Sequence, residues 1–103
     1  NLGAVEMRLN QELANVAGIH DLVLVMSAVN LMDGTAVDVF AELNRDLAER
    51  GIRLHLAEVK GPIQDRLMRT MLWSTLSGSV FLSANAAFET LKETADHAVE
   101  RTV

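Results

Sequence analysis

Leu22 to Met26 is an unbroken apolar run, Leu-Val-Leu-Val-Met, set between Asp21 and Ser27. Such a run predicts a parallel strand covered on both faces rather than a half-exposed antiparallel one. Asp33, Gly34 and Thr35 follow as a tight polar turn. From about Thr35 to Arg50, Val37, Phe40, Leu43 and Leu47 recur at helical spacing, and Gly51 supplies the stop. The other side of that helix carries Glu42, Arg45, Asp46, Glu49 and Arg50, the composition of a solvated face. Ile52 to Ala57 alternates apolar and polar, predicting a second strand with one face less covered. Gly61-Pro62 turns the chain, and Pro62 suits the first position of a helix reaching about Leu72, with Ile63, Leu67, Met68 and Met71 directed inward. Val80 to Leu82 reads as a short third strand, Ser83 as an N-cap, and Ala84 to about Arg101 as a final helix. Upstream, Leu2, Val5, Met7, Leu9, Leu13 and Val16 approximate helical spacing ahead of Gly18. The expected order is α-β-α-β-α-β-α.

Strands alternating with helices imply right-handed parallel crossovers and an α/β layer. The 103 residues, half of them hydrophobic, suffice for one domain covering 1–103, with a polar stretch from Lys92 to Val103 extending the last helix. A net charge of −5 without clustered Lys and Arg argues against nucleic-acid binding. The absence of cysteine excludes disulfides and thiolate metal sites and fits a reducing compartment. No apolar run approaches the roughly 20 residues of a membrane span. The chain opens at Asn1 without an initiator Met, which suggests a piece of a longer protein.

The strand-to-helix junction is where function is expected, because a helix amino terminus at a strand's carboxyl end presents free N–H groups and the positive end of the helix dipole. Asp33 is placed to fix the turn by hydrogen bonding. Catalysis by Asp33 would need a second convergent group, and the sequence offers none, so the protein reads as a non-enzyme. His20, His55 and His97 lack metal-ligand spacing and read as surface residues. No phosphate-binding glycine loop or dinucleotide fingerprint is present. Met68, Met71, Leu72 and Trp73 admit two readings, a helix end packed on the core or a partner-binding surface rich in Met and Trp.

The run from Asp21 to Phe40, with Met26-Ser-Ala-Val-Asn-Leu-Met32 as an apolar link and Asp33-Gly34-Thr35-Ala36 as a loop, resembles the signature of the STAS domain. That module is shared by SulP-type sulfate transporters and bacterial anti-anti-sigma factors. The resemblance continues through Leu54 to Leu67 and Ser79 to Ser83, covering roughly Asn1 to Leu91, and Val59-Lys-Gly-Pro62 looks more like the transporter branch. It implies a STAS-like parallel-cored sheet lacking the family's N-terminal strands. An open sheet edge, through which a homodimer could form, is then expected. It further implies a non-catalytic regulatory module, facing the cytoplasm as part of an inner-membrane transporter and contacting that transporter's membrane domain through the Asp33–Ala36 loop. Contact with a membrane would come only through a missing upstream transmembrane region. The alternative is a cytosolic anti-anti-sigma factor whose partner is an anti-sigma kinase. Thr35 matches the position of the phosphorylated Ser in that branch, with an N-cap or first-turn role as its structural counterpart. Gly34 and Ala36 depart from the branch pattern: Gly34 replaces a usual hydroxyl residue, leaving Thr35 as the one acceptor in the loop. No cofactor is expected; nucleotide binding occurs among STAS domains, but no residue here marks a site for it.

Overall fold

The computed structural model describes residues 18–92 and 98–103. Within these, the first strand β1 (Asp21–Val25) leads to helix α1 (Gly34–Glu49) and strand β2 (Arg53–Ala57). Helices α2 (Gly61–Met68) and α3 (Met71–Thr75), strand β3 (Val80–Phe81), helix α4 (Ala84–Leu91) and strand β4 (Ala98–Thr102) follow. The four strands form one all-parallel sheet in the order β3-β2-β1-β4.

β1 is buried along its whole length, as its apolar run requires. Its even positions Leu22 and Leu24, with Leu54 and Leu56 of β2, pack under Phe40, Leu43, Leu47, Ile63, Leu67 and Leu72 from α1, α2 and α3. Burying a leucine of this kind stabilises the fold by about 1.5–3 kcal/mol. On the opposite face Val23 and Ala57 meet Ala87 and Leu91 of α4, with Phe81 at the margin. Buried Asn44 ties α1 to the approach to β3. Its amide donates to Thr75 O at 3.0 Å, and its oxygen accepts from the Ser77 amide at 3.0 Å and the Ser77 hydroxyl at 3.1 Å. Gly51, at φ 74°, reverses the chain after α1 as a left-handed residue should.

Four expectations from the sequence change. The final helix does not reach Arg101: α4 ends at Leu91, and Ala98–Thr102 is a strand paired in register with Asp21–Val25. β1 therefore has a partner on each edge, and the open edges of the described sheet are those of β3 and β4 rather than that of the most apolar strand. β2 is buried on both faces from Leu54 to Ala57, because α4 and Phe81 cover the side that alternation assigned to solvent. The helix expected to reach Leu72 breaks after Met68: Thr70 is extended (φ −113°, ψ 160°), its hydroxyl donates to Leu67 O at 2.7 Å, and α3 restarts at Met71. That break turns Met71 out to 77% exposure rather than inward. The helix expected upstream of Gly18 lies outside the described residues.

Candidate functional site

The chain leaves β1 at its carboxyl end, and buried Met32 anchors the connecting loop while Leu31 points outward. Asp33 (φ −84°, ψ 178°) is the N-cap of α1, its Oδ1 accepting from the Ala36 amide at 2.8 Å. The first helical hydrogen bond runs from the Val37 amide to Asp33 O at 3.0 Å. An N-cap carboxylate of this kind satisfies an otherwise orphaned donor and complements the helix dipole. Thr35 therefore sits in the first turn without serving as the cap. It is exposed, and its hydroxyl has no hydrogen-bond partner among the described residues. Gly34 is exposed with open space around it, whereas Ala36 is buried against the core. Of the four loop residues singled out in the sequence, Asp33, Gly34 and Thr35 are reachable by a partner and Ala36 is not.

Neighbouring loops converge on this end because the strands are parallel. Lys60, at the start of α2, donates to Asn30 Oδ1 of the β1–α1 loop. Glu58 takes a left-handed conformation (φ 57°), unusual for a residue with a side chain. It is held there by its amide bond to Phe81 O at 3.3 Å and by its carboxylate, which accepts from the Ala84 amide at the start of α4. Ser83 completes that cap, accepting from the Ala86 amide at 2.9 Å. Beside it, Val59, Gln64, Trp73, Val80, Phe81 and Leu82 line a cleft of about 210 Å³, with Leu82 on its rim 96% exposed.

The four residues offered as a second surface separate. Met68 and Met71 are exposed, Leu72 belongs to the core, and Trp73 is partly buried in the cleft wall. No catalytic constellation surrounds Asp33: its carboxylate bonds the Ala36 amide, with no titratable side chain joined to it among the described residues. Nor, among those residues, do three His, Asp or Glu side chains gather to hold a metal.

Sequence reasoning missed a polar cluster at the amino end of the sheet. Parallel register sets Asp21 opposite Arg53 and Val23 opposite His55, so Asp21, Arg53 and His55 share one sheet face. His55 is 2% exposed, not a surface histidine. Asp21 Oδ1 receives Arg53 Nε and Nη2, each at 2.9 Å, and His55 Nε2 at 2.7 Å. On its other side the ring accepts from the Ser79 amide at Nδ1, 2.9 Å away. An amide N–H can only donate, so Nδ1 is unprotonated and the hydrogen lies on Nε2. Burial pushes the Asp21 carboxyl up, but the hydrogen bonds from His55 and Arg53 and the guanidinium charge outweigh it and hold the carboxyl below its ordinary value. Asp21 Oδ2 is buried without a partner among the described residues. The readable signal was an Asp opening one parallel strand and an Arg and a His near the start of the next. His20 is exposed, and His97 lies outside the described residues.

The family model for the STAS domain matches residues 1–87, most of the chain and all of the loop region around Asp33 and Thr35. No curated protein and no solved structure matches the chain significantly. The all-parallel sheet with helices on both faces is consistent with that fold. β4 lies beyond the matched residues. No helix among the described residues is long and apolar enough to cross a membrane. STAS domains are in general non-catalytic regulatory modules that mediate protein–protein interactions. The chain belongs to the STAS domain family.

Proposed function

We propose that this chain is the cytoplasmic regulatory and assembly module of a SulP-type anion transporter, acting through protein contacts and not carrying the anion itself. The observation that carries the reading is the exposed loop Asp33-Gly34-Thr35, held in a fixed shape by the Asp33 cap and the buried Met32 and Ala36 on either side. A rigid, exposed loop lets a partner dock without first ordering it. The Val59-Lys-Gly-Pro62 segment, which resembles the transporter branch, lies at the same end of the sheet and supports the choice. The test is to tag the native gene product at its C-terminus and fractionate the cells. A product several times the 11.3 kDa of this chain, released from membranes only by detergent, supports the transporter reading. A freely soluble product little larger than this chain overturns it.

The second reading, an anti-anti-sigma factor switched by phosphorylation at Thr35, draws on one specific observation. Because Asp33 takes the capping role, the Thr35 hydroxyl is not spent on the helix and is open to a kinase. A phosphate there would add about −1.5 to −2 charges. The helix dipole favours that charge, while Asp33 and Asp38 oppose it, so the effect falls on partner docking more than on the fold. Thr35→Glu should weaken binding to the partner kinase and leave the circular dichroism spectrum unchanged. Equal affinity of both forms removes the switch.

A further inference from the structure

His55 stands between the buried interior of the sheet and its shortest described strand, β3. β3 has two residues, and the bonds across its junction with β2 include Gly78 N to Leu54 O at 3.0 Å, Leu56 N to Ser79 O at 3.0 Å, Glu58 N to Phe81 O at 3.3 Å and Leu54 N to Ser77 Oγ at 2.9 Å. The Ser79 amide adds a side-chain bond, into His55 Nδ1. We propose that His55 is an acid-sensitive latch: the neutral ring, with its hydrogen on Nε2, holds Ser79, and a proton taken up at Nδ1 releases β3 and the Leu82–Ser83 corner leading into α4.

The geometry leaves a protonated ring no easy alternative. A hydrogen on Nδ1 would face the Ser79 N–H across 2.9 Å, donor against donor. The ring is kept from turning by its bond to Asp21 and by Gly78, whose backbone lies so close that an added Cβ would fall 2.5 Å from Nδ1 and 2.8 Å from Cε1. Phe81 stands near it, with ring centroids 5.6 Å apart. β3 is an edge strand, paired among the described residues with β2 alone. Of the charged groups around the ring, Asp21 of β1 faces Nε2, and Arg53 of β2 bonds the same carboxylate oxygen. From β4, exposed Glu100 shares the sheet face, in register with Val23, and α4 contributes exposed Glu89 and Lys92, paired with each other at 3.1 Å. β3 itself brings no titratable side chain. Since Val80, Phe81 and Leu82 form one wall of the 210 Å³ cleft, the latch would set the shape of that surface.

The test is a nuclear magnetic resonance titration of the full chain from about pH 8 to about pH 5, the range in which histidine changes charge. It follows the His55 ring nitrogens, the Ser79 amide and hydrogen exchange at Leu56 and Glu58. Expected is an unprotonated Nδ1 at the upper end. As it gains its proton, the Ser79 amide should shift with the same midpoint, and Leu56 and Glu58 should lose protection at least about tenfold beyond the intrinsic pH effect on exchange. His55→Gln, which cannot take up a proton in this range, should abolish that pH dependence. The proposal is overturned if Ser79 is unmoved while His55 titrates, or if Nδ1 stays unprotonated over the whole range. Both wild-type readouts decide the matter even if the variant fails to fold.

Discussion

Gly78→Ala tests the packing of the β2–β3 junction at its tightest point. A Cβ at this position would lie 2.4 Å from Leu54 O and 2.5 Å from His55 Nδ1, closer than such contacts allow. One obstacle is backbone in a buried strand and the other is a ring pinned by Asp21, so neither can swing aside. The strands must separate instead, stretching the Gly78 N–Leu54 O bond and the Ser79 N–His55 Nδ1 bond. Overpacking costs about 1–3 kcal/mol and each of the two weakened hydrogen bonds about 0.5–1.5 kcal/mol, giving a loss of roughly 2–6 kcal/mol. For a domain of about 100 residues that lowers Tm by on the order of 10–50 °C. Gly34→Ala is the matched control, since nothing lies within 4 Å of its added Cβ at the start of α1. It should be neutral or gain about 0.4–1 kcal/mol by restricting the unfolded chain. Thermal and urea unfolding followed by circular dichroism measure both. A Gly78→Ala protein melting within about 2 °C of wild type would refute the reasoning, because the junction would then have slack that these distances deny.

Asp33→Ala should destabilise the domain by about 1 kcal/mol through loss of the α1 cap, while Asp33→Asn, still able to accept from the Ala36 amide, should recover most of it in the same urea titration. Asp21 sets an acid limit. Its folded pKa lies below the unfolded value, so its contribution is complete above about pH 4 and is lost as pH falls through the folded pKa. The stability gap between wild type and Asp21→Asn should therefore shrink as pH falls below about pH 4; a gap independent of pH between about pH 4 and about pH 2 would contradict the assignment.

What could be read from the sequence was what local pattern determines. The double-faced burial of β1 follows from its unbroken apolar run. The Ser83 cap and the stripe of α1 follow from residue types at fixed offsets. The loop at Asp33–Thr35 was legible because turn chemistry is local. The rest depended on distant partners. His55 is polar in an alternating strand, and only the parallel register that brings Asp21 and Arg53 onto its face explains its burial. β4 contains Glu100, Arg101 and Thr102 and carries no strong strand pattern; it is a strand because β1 has backbone groups to satisfy on that edge. The break at Thr70 arises from a hydroxyl turning back on Leu67 O, a competition that helical spacing does not register.

The pairing of β4 with β1 has a consequence for the order in which the domain forms. β1, α1 and β2 are neighbours in sequence and in space, so they can meet early, whereas β4 must return across nearly the whole described chain to reach its register. Closing so long a loop draws on entropy before any bond of the ladder forms, and contacts of this separation slow folding. β4 adds few buried side chains to drive its return, since Glu100, Arg101 and Thr102 are exposed. Docking of β4 is thus the late step, and until it occurs the backbone groups along one side of Leu22–Val25 are available to any extended chain that arrives first, a second copy included. Refolding yield should accordingly fall with protein concentration far more steeply than the stability of the finished domain would indicate.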